Sequence, residues 1–72
     1  SDGIVEKTWQ ENGRTLHHSY AKDGSQAELR AVLKNGVVVT VEAENLPLKD
    51  VQGFMGQIDL AALENLPRKD KS

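Results

Sequence analysis

His17 and His18 are the only imidazoles in a chain of 72 residues that has no cysteine, so metal binding or proton transfer would have to begin with them. Their adjacency argues against a shared ion. On an extended strand, neighbouring side chains point to opposite faces, so the two rings cannot close on one ligand. A metal centre also needs three or four donors held by supporting partners, and no further His or Cys is present to supply them. The carboxylates fare no better. Strand pairing, derived below, sets Glu28 opposite Glu42 on a wet face, a mildly unfavourable like-charge pair; paired-carboxylate catalysis instead needs a cleft between the two groups. Ser19, Ser25, Thr8 and Thr40 have hydroxyls but no recognisable base and orienting acid. The six glycines match no phosphate-binding spacing. What remains for an enzyme is acid–base work by His18 with a nearby carboxylate, and a structural role for that ring is the simpler account. The expectation is therefore a protein that is not an enzyme, with no catalytic residue, no metal and no cofactor.

The elements that position these side chains are easier to read. Asn12-Gly13, Asp23-Gly24 and Asn35-Gly36 tolerate the positive φ of tight hairpin turns. Between them lie segments of strand length, and strands are expected at about 4–10, 14–21, 26–33 and 37–44. Two-residue turns at Asn12-Gly13 and Asp23-Gly24 oppose Trp9 to Leu16, Val5 to Tyr20, Tyr20 to Ala27 and His18 to Leu29. A two-residue turn at Asn35-Gly36 would oppose Leu29 to Glu42. A three-residue loop, Lys34-Asn35-Gly36, opposes Leu33 to Val37, Ala31 to Val39 and Leu29 to Val41 instead, and calls for a glycine bulge at Gly36. The apolar face of the four strands would then hold Val5, Trp9, Leu16, His18 and Tyr20 on the first pair. On the second pair it would hold Ala27, Leu29, Ala31, Leu33, Val37, Val39, Val41 and Ala43. A competing reading makes 26–35 a helix, because Ser25-Gln26-Ala27-Glu28 has the capping-box pattern and Gly36 could end it, giving a ββαβα order. Agreement of register across three hairpins favours the strand.

After Asn45 the period changes. Pro47 suits a helix start, and Leu48, Val51, Phe54, Met55 and Ile58 recur at helical spacing. A helical segment is expected at about 48–66, broken near Gly56, with Asp59 capping a second short helix from Leu60 to Leu66. Phe54, Met55, Ile58 and Leu63 are expected to cover Leu29, Ala31, Val39 and Val41. The whole is α+β: a four-stranded antiparallel meander packed by a C-terminal helical segment, one small domain over 1–67 and a charged, disordered tail over 68–72. Ala43–Asp50 repeats in Leu63–Asp70 at six of eight positions. Two copies do not make a solenoid, and both are read as element-ending segments punctuated by Asn and Pro.

Composition bounds the function. Eleven acidic and nine basic residues give a net charge of −2, without the basic groove and stacking aromatics that single-stranded nucleic acid requires; nucleic acid is disfavoured as a partner. No apolar run approaches the length of a membrane-spanning helix. Large side chains are few, namely Trp9, Tyr20, Phe54 and Met55, so the core is thin for a chain this small. These features point to a protein-interaction or regulatory module whose partner is another protein or a second copy of itself. The docking residues would be Val37, Val39 and Val41 on a strand edge and Phe54 and Met55 on the helical segment. The alternative is a small apolar-ligand-binding module with a crevice between sheet and helix at Trp9, His18, Tyr20 and Phe54. Nothing in the composition assigns a compartment.

Overall fold

The computed structural model describes residues 3–67. Strands β1 (Ile4–Glu11), β2 (Arg14–Ala21), β3 (Gln26–Val32) and β4 (Val38–Glu44) form one antiparallel sheet in the order β1-β2-β3-β4, followed by helices α1 (Leu48–Gly56) and α2 (Leu60–Glu64). The architecture is the expected small α+β domain. The charged tail expected over 68–72 lies outside the described residues. Among the described residues no helix is long and apolar enough to cross a membrane.

Local chemistry sets the register. Asn12 and Gly13 both take positive φ, +54° and +78°, the mirror-image turn whose twist matches its flanking strands. It pairs Trp9 with Leu16 and Val5 with Tyr20. The second connection is built differently from the expected two-residue turn. Asp23 keeps a negative φ, Gly24 N–H donates to Ala21 O at 3.0 Å, and Asp23 Oδ1 accepts Ser25 N–H at 2.9 Å. Lys22 and Ser25 lie outside both strands. A four-residue and a two-residue loop centred on the same bond give the same pairing, so Tyr20 still meets Ala27 and His18 meets Leu29. The third connection is the expected three-residue loop. Gly36 N–H donates to Leu33 O at 3.0 Å, and Gly36 stands at φ +89° in the bulge position. Ala31 accordingly pairs with Val39, and Leu29 with Val41. The helical alternative over 26–35 is not adopted. Residues 27–32 pair on both sides, and burial alternates with period two, Ala27, Leu29, Ala31 and Leu33 all being buried.

The core is Ala27, Leu29, Ala31 and Leu33 from the third strand and the loop after it, with Val51 and Met55 from α1. Ile58 and Leu63 pack against it as expected. Phe54 does not. It is 48 % exposed, whereas Val51 is completely buried. Val51 and Met55, four residues apart, form the line of α1 that faces the sheet, and Phe54 stands about 60° to the side of Val51. Met55, expected both to cover the sheet and to serve as a docking residue, is 6 % exposed: it belongs to the core and is not on a docking surface. The helices also cover less of the sheet than expected. α1 lies over β3 and β4, so Val5, Trp9, Leu16, His18 and Tyr20 are only half-buried.

The second helix is held by chemistry beyond its own length. Asp59 caps it as expected, its Oδ1 accepting Ala62 N–H at 3.0 Å. It ends at Glu64 rather than Leu66, and Leu66 is exposed. Asn35 Nδ2 donates to Leu63 O and Leu66 O, each at 3.0 Å, adding a side-chain donor to Leu63 O, which also accepts Leu66 N–H, and supplying one to Leu66 O just past the helix end. The repeated Glu-Asn-Leu-Pro segments end different elements. Asn45 leaves β4 in the left-handed region at φ +62°, whereas Asn65 closes α2 at φ −86°.

Candidate functional site

Two features could receive a partner: the free edge of β4 and a groove beside α1. β4 pairs only with β3. Leu33 N–H donates to Val37 O at 2.8 Å and Asn45 N–H to Ser25 O at 2.9 Å. Antiparallel ladders alternate, so the odd-numbered residues of β4 turn their backbone groups to β3. Val38, Thr40, Glu42 and Glu44 turn theirs to the open side. Of the expected docking residues, Val37, Val39 and Val41 therefore stand at this edge with side chains half-buried against the core cluster. Val38, on the opposite face, is 54 % exposed.

Phe54 belongs to the same side of the molecule. Gln52 of α1 lines the groove over Trp9, Leu16 and Leu29, and Leu48 lies beside Tyr20 and Ala27; both mark the flank of α1 that faces β2. Phe54 sits about 160° around the axis from Gln52. It therefore projects from the other flank, over the β4 edge.

The groove lies on the β2 flank. It encloses about 520 Å³ and is floored by Trp9, Leu16, Leu29, Met55, Ile58 and Leu60, within the usual range for small-molecule sites. Glu11 and Arg14 stand at its rim. Trp9 Nε1 donates to Glu11 at 3.1 Å, and Lys7 Nζ sits 5.4 Å from the indole centroid, within cation–π reach. The crevice residues expected from the sequence are only partly assembled. Trp9, His18 and Tyr20 form a row, with ring centroids 5.2 and 6.0 Å apart. Only Trp9 of this row enters the groove, Tyr20 lines a separate hollow of about 220 Å³ near Pro47, and Phe54 is on the far flank of α1.

The two histidines separate as expected. His17 takes the wet face, where its ring lies 2.7 Å from Thr8 Oγ1 and 3.3 Å from Glu6. His18 takes the apolar face. Its Nδ1 is buried without a hydrogen-bond partner. Burial first, then the charge of Lys7 and the neighbouring His17, lowers its pKa below the ordinary imidazole value and so favours the neutral ring. On the wet face Glu28 does oppose Glu42, and Arg30 offsets this by donating to Glu28 at 2.9 Å. Among the described residues no group of three or more His, Cys, Asp or Glu is placed to hold a metal ion.

One contact had no sequence signal. Arg14 grips Glu64 with two parallel hydrogen bonds, Nε to Oε2 and Nη2 to Oε1, both 2.8 Å, and Lys34 N–H adds a third to Oε2 at 3.2 Å. The guanidinium holds the Glu64 carboxyl down to about 2. This clamp fastens α2 to the sheet at the end of the groove. The partners are fifty residues apart, and although Glu64 opens one of the repeated Glu-Asn-Leu-Pro segments, nothing in the sequence links it to Arg14.

Compared with protein-family models, with curated proteins and with solved structures, the chain matches none.

Proposed function

We propose that this domain is a non-enzymatic interaction module whose partner adds a strand to the free edge of β4. The observation that carries the reading is the outward row of backbone donors and acceptors on Val38, Thr40, Glu42 and Glu44. Such a row is a template for another strand unless the protein blunts it. Exposed edges are usually blunted by charged side chains, lysine above all, or by proline or a bulge; β4 has no lysine, proline or bulge, and its two charges, Glu42 and Glu44, fall in its last three residues, leaving Val38–Val41 uncharged. β1, the other edge, carries Lys7 at its middle among Glu6, Gln10 and Glu11. The exposed Phe54 beside β4 offers an added strand an aromatic contact in addition to backbone pairing.

Amide hydrogen exchange with a short synthetic peptide of alternating Val and Lys tests this. Its lysines complement Glu42 and Glu44. The expected result is slowed exchange at Val38, Thr40, Glu42 and Glu44, with the already bonded amides of β1 and β2 unchanged. Unchanged exchange at those four amides, with peptide in excess, refutes strand addition.

A second reading has its own support in the apolar groove of about 520 Å³. Trp9, the only tryptophan, lies in its floor. A blue shift of its fluorescence on titration with laurate, abolished by Leu60→Glu, would favour an apolar-ligand module; an unresponsive spectrum would remove that reading.

A further inference from the structure

We infer that the partner at β4 is a second copy of this chain, joined edge to edge about a two-fold axis through Val41. The inference rests on the strand-addition reading and adds the identity and register of the partner. Val41 is the middle residue of β4, Val38–Glu44, so an axis there uses the whole strand. The outward groups then meet in proper antiparallel pairs, Thr40 with the partner's Glu42 and Val38 with the partner's Glu44, each pair exchanging two backbone hydrogen bonds. Both carboxylates face an uncharged residue, and the Thr40 hydroxyl can donate to the one opposite it. On the helix-bearing face Val41 meets the partner's Val41 and Val39 meets the partner's Ala43, so the apolar layer continues across the joint.

Other registers are worse for stated reasons. A shift by one residue would set apolar-face residues against wet-face residues, because side chains alternate with period two. An axis through Glu42 would oppose two carboxylates directly. An axis through Thr40 leaves Glu44 at the end of the strand without an opposite residue in β4. Phe54 supplies the second contact. It projects over the β4 edge on the helix-bearing face, where the partner's strand and helix would lie, and the two-fold brings the two phenyl rings toward each other. The contact is isologous, so it closes at two copies and leaves β1, with its central lysine, as the outer edge of an eight-stranded sheet.

Light scattering of the whole chain over a concentration series tests this. The expected result is a mass that rises from one copy to two and stops there. Thr40→Pro removes an N–H that no strand of the same chain uses, so the fold tolerates it, yet the variant is expected to remain a single copy with an unchanged circular dichroism spectrum. Thr40→Lys tests the register. About Val41 it places each ammonium against the partner's Glu42, and two such pairs tighten the dimer by roughly twofold to thirtyfold. About Thr40 it would oppose two ammoniums and loosen the dimer. Phe54→Ala is expected to weaken association without changing the outward amides. A dimer that survives Thr40→Pro, or one that Thr40→Lys loosens, overturns the inference. A single copy at every concentration also overturns it; if the Val–Lys peptide still protects the β4 amides, strand addition stands and only the identity of the partner falls. If the peptide fails too, both readings fall together.

Discussion

Shortening Val51 should cost this protein more than removing the whole phenyl ring of Phe54. Val51 is completely buried under α1, between the helix and the third strand. Val51→Ala deletes two buried carbons, worth about 1.6 kcal/mol at ~0.8 kcal/mol each, and the unfilled space adds to this, for a total of about 2 kcal/mol. A domain of this length holds about 4–10 kcal/mol in all, so the variant folds but melts some 8–16 °C lower. Phe54 is larger, and its full burial would be worth up to about 3 kcal/mol. It is 48 % exposed, so about half of that is realised. Its removal opens no enclosed void, and alanine is the better helix former by a few tenths of a kcal/mol. The net loss is about 1 kcal/mol. Urea and thermal unfolding, followed by circular dichroism at high dilution to exclude association, measure both. The slope of the urea transition should stay constant while the midpoint moves. A larger loss for Phe54→Ala than for Val51→Ala under these conditions would refute the assigned rotation of α1, and with it the placement of Phe54 over the β4 edge.

Two further outcomes concern pH. Glu64 is held at about 2 in the folded protein by Arg14, below the ordinary carboxylate value; its contribution is complete above the unfolded pKa near 4.5 and is lost as pH falls from there toward 2. Glu64→Gln should therefore flatten the acid side of the stability profile in that window, and an unchanged slope would show that the clamp contributes no linkage. His18 is also shifted downward, by burial first and then by Lys7 and His17. The unfolded chain thus takes up a proton near pH 6.5 before the folded one does, and stability should fall as pH drops through and below that value. Nuclear magnetic resonance titration should place the His18 midpoint below the ordinary imidazole value of 6.5; a midpoint at or above that value would contradict the placement of its ring on the apolar face.

Much of the sheet was legible because its determinants are local. Asn12-Gly13 and Lys34-Asn35-Gly36 dictate their turns, and a turn of known length passes its register to every residue of the strands beside it. Even where the connection at Asp23-Gly24 formed otherwise, parity kept His18 opposite Leu29. Asp59 as a helix cap is the same kind of signal, three residues from the amide it accepts. The helix face was less legible. Leu48, Val51, Phe54, Met55 and Ile58 span too wide an arc to say which line meets the sheet, and Gly53 and Gly56 contribute no side chain to decide it. The candidate site was half-read. Val37, Val39 and Val41 followed from strand order, but Phe54 is set apart from the crevice it was expected to line. Met55, two positions from a glycine on one side and one from a glycine on the other, is drawn into the core.

By itself the sequence determined the strands, their order and their register, because alternation and turn stereochemistry act over a few residues at a time. It also determined which histidine faces the apolar side, since that follows from register alone. Only the tertiary structure decided the rotation of α1, the half-open sheet beside Trp9, His18 and Tyr20, and the clamp from Arg14 to Glu64. It decided as well that one free edge stands next to an exposed phenyl ring. These depend on how a rigid helix of nine residues seats on a sheet wider than itself. That choice is made by the summed packing of residues far apart in the chain, and no short stretch of sequence encodes it.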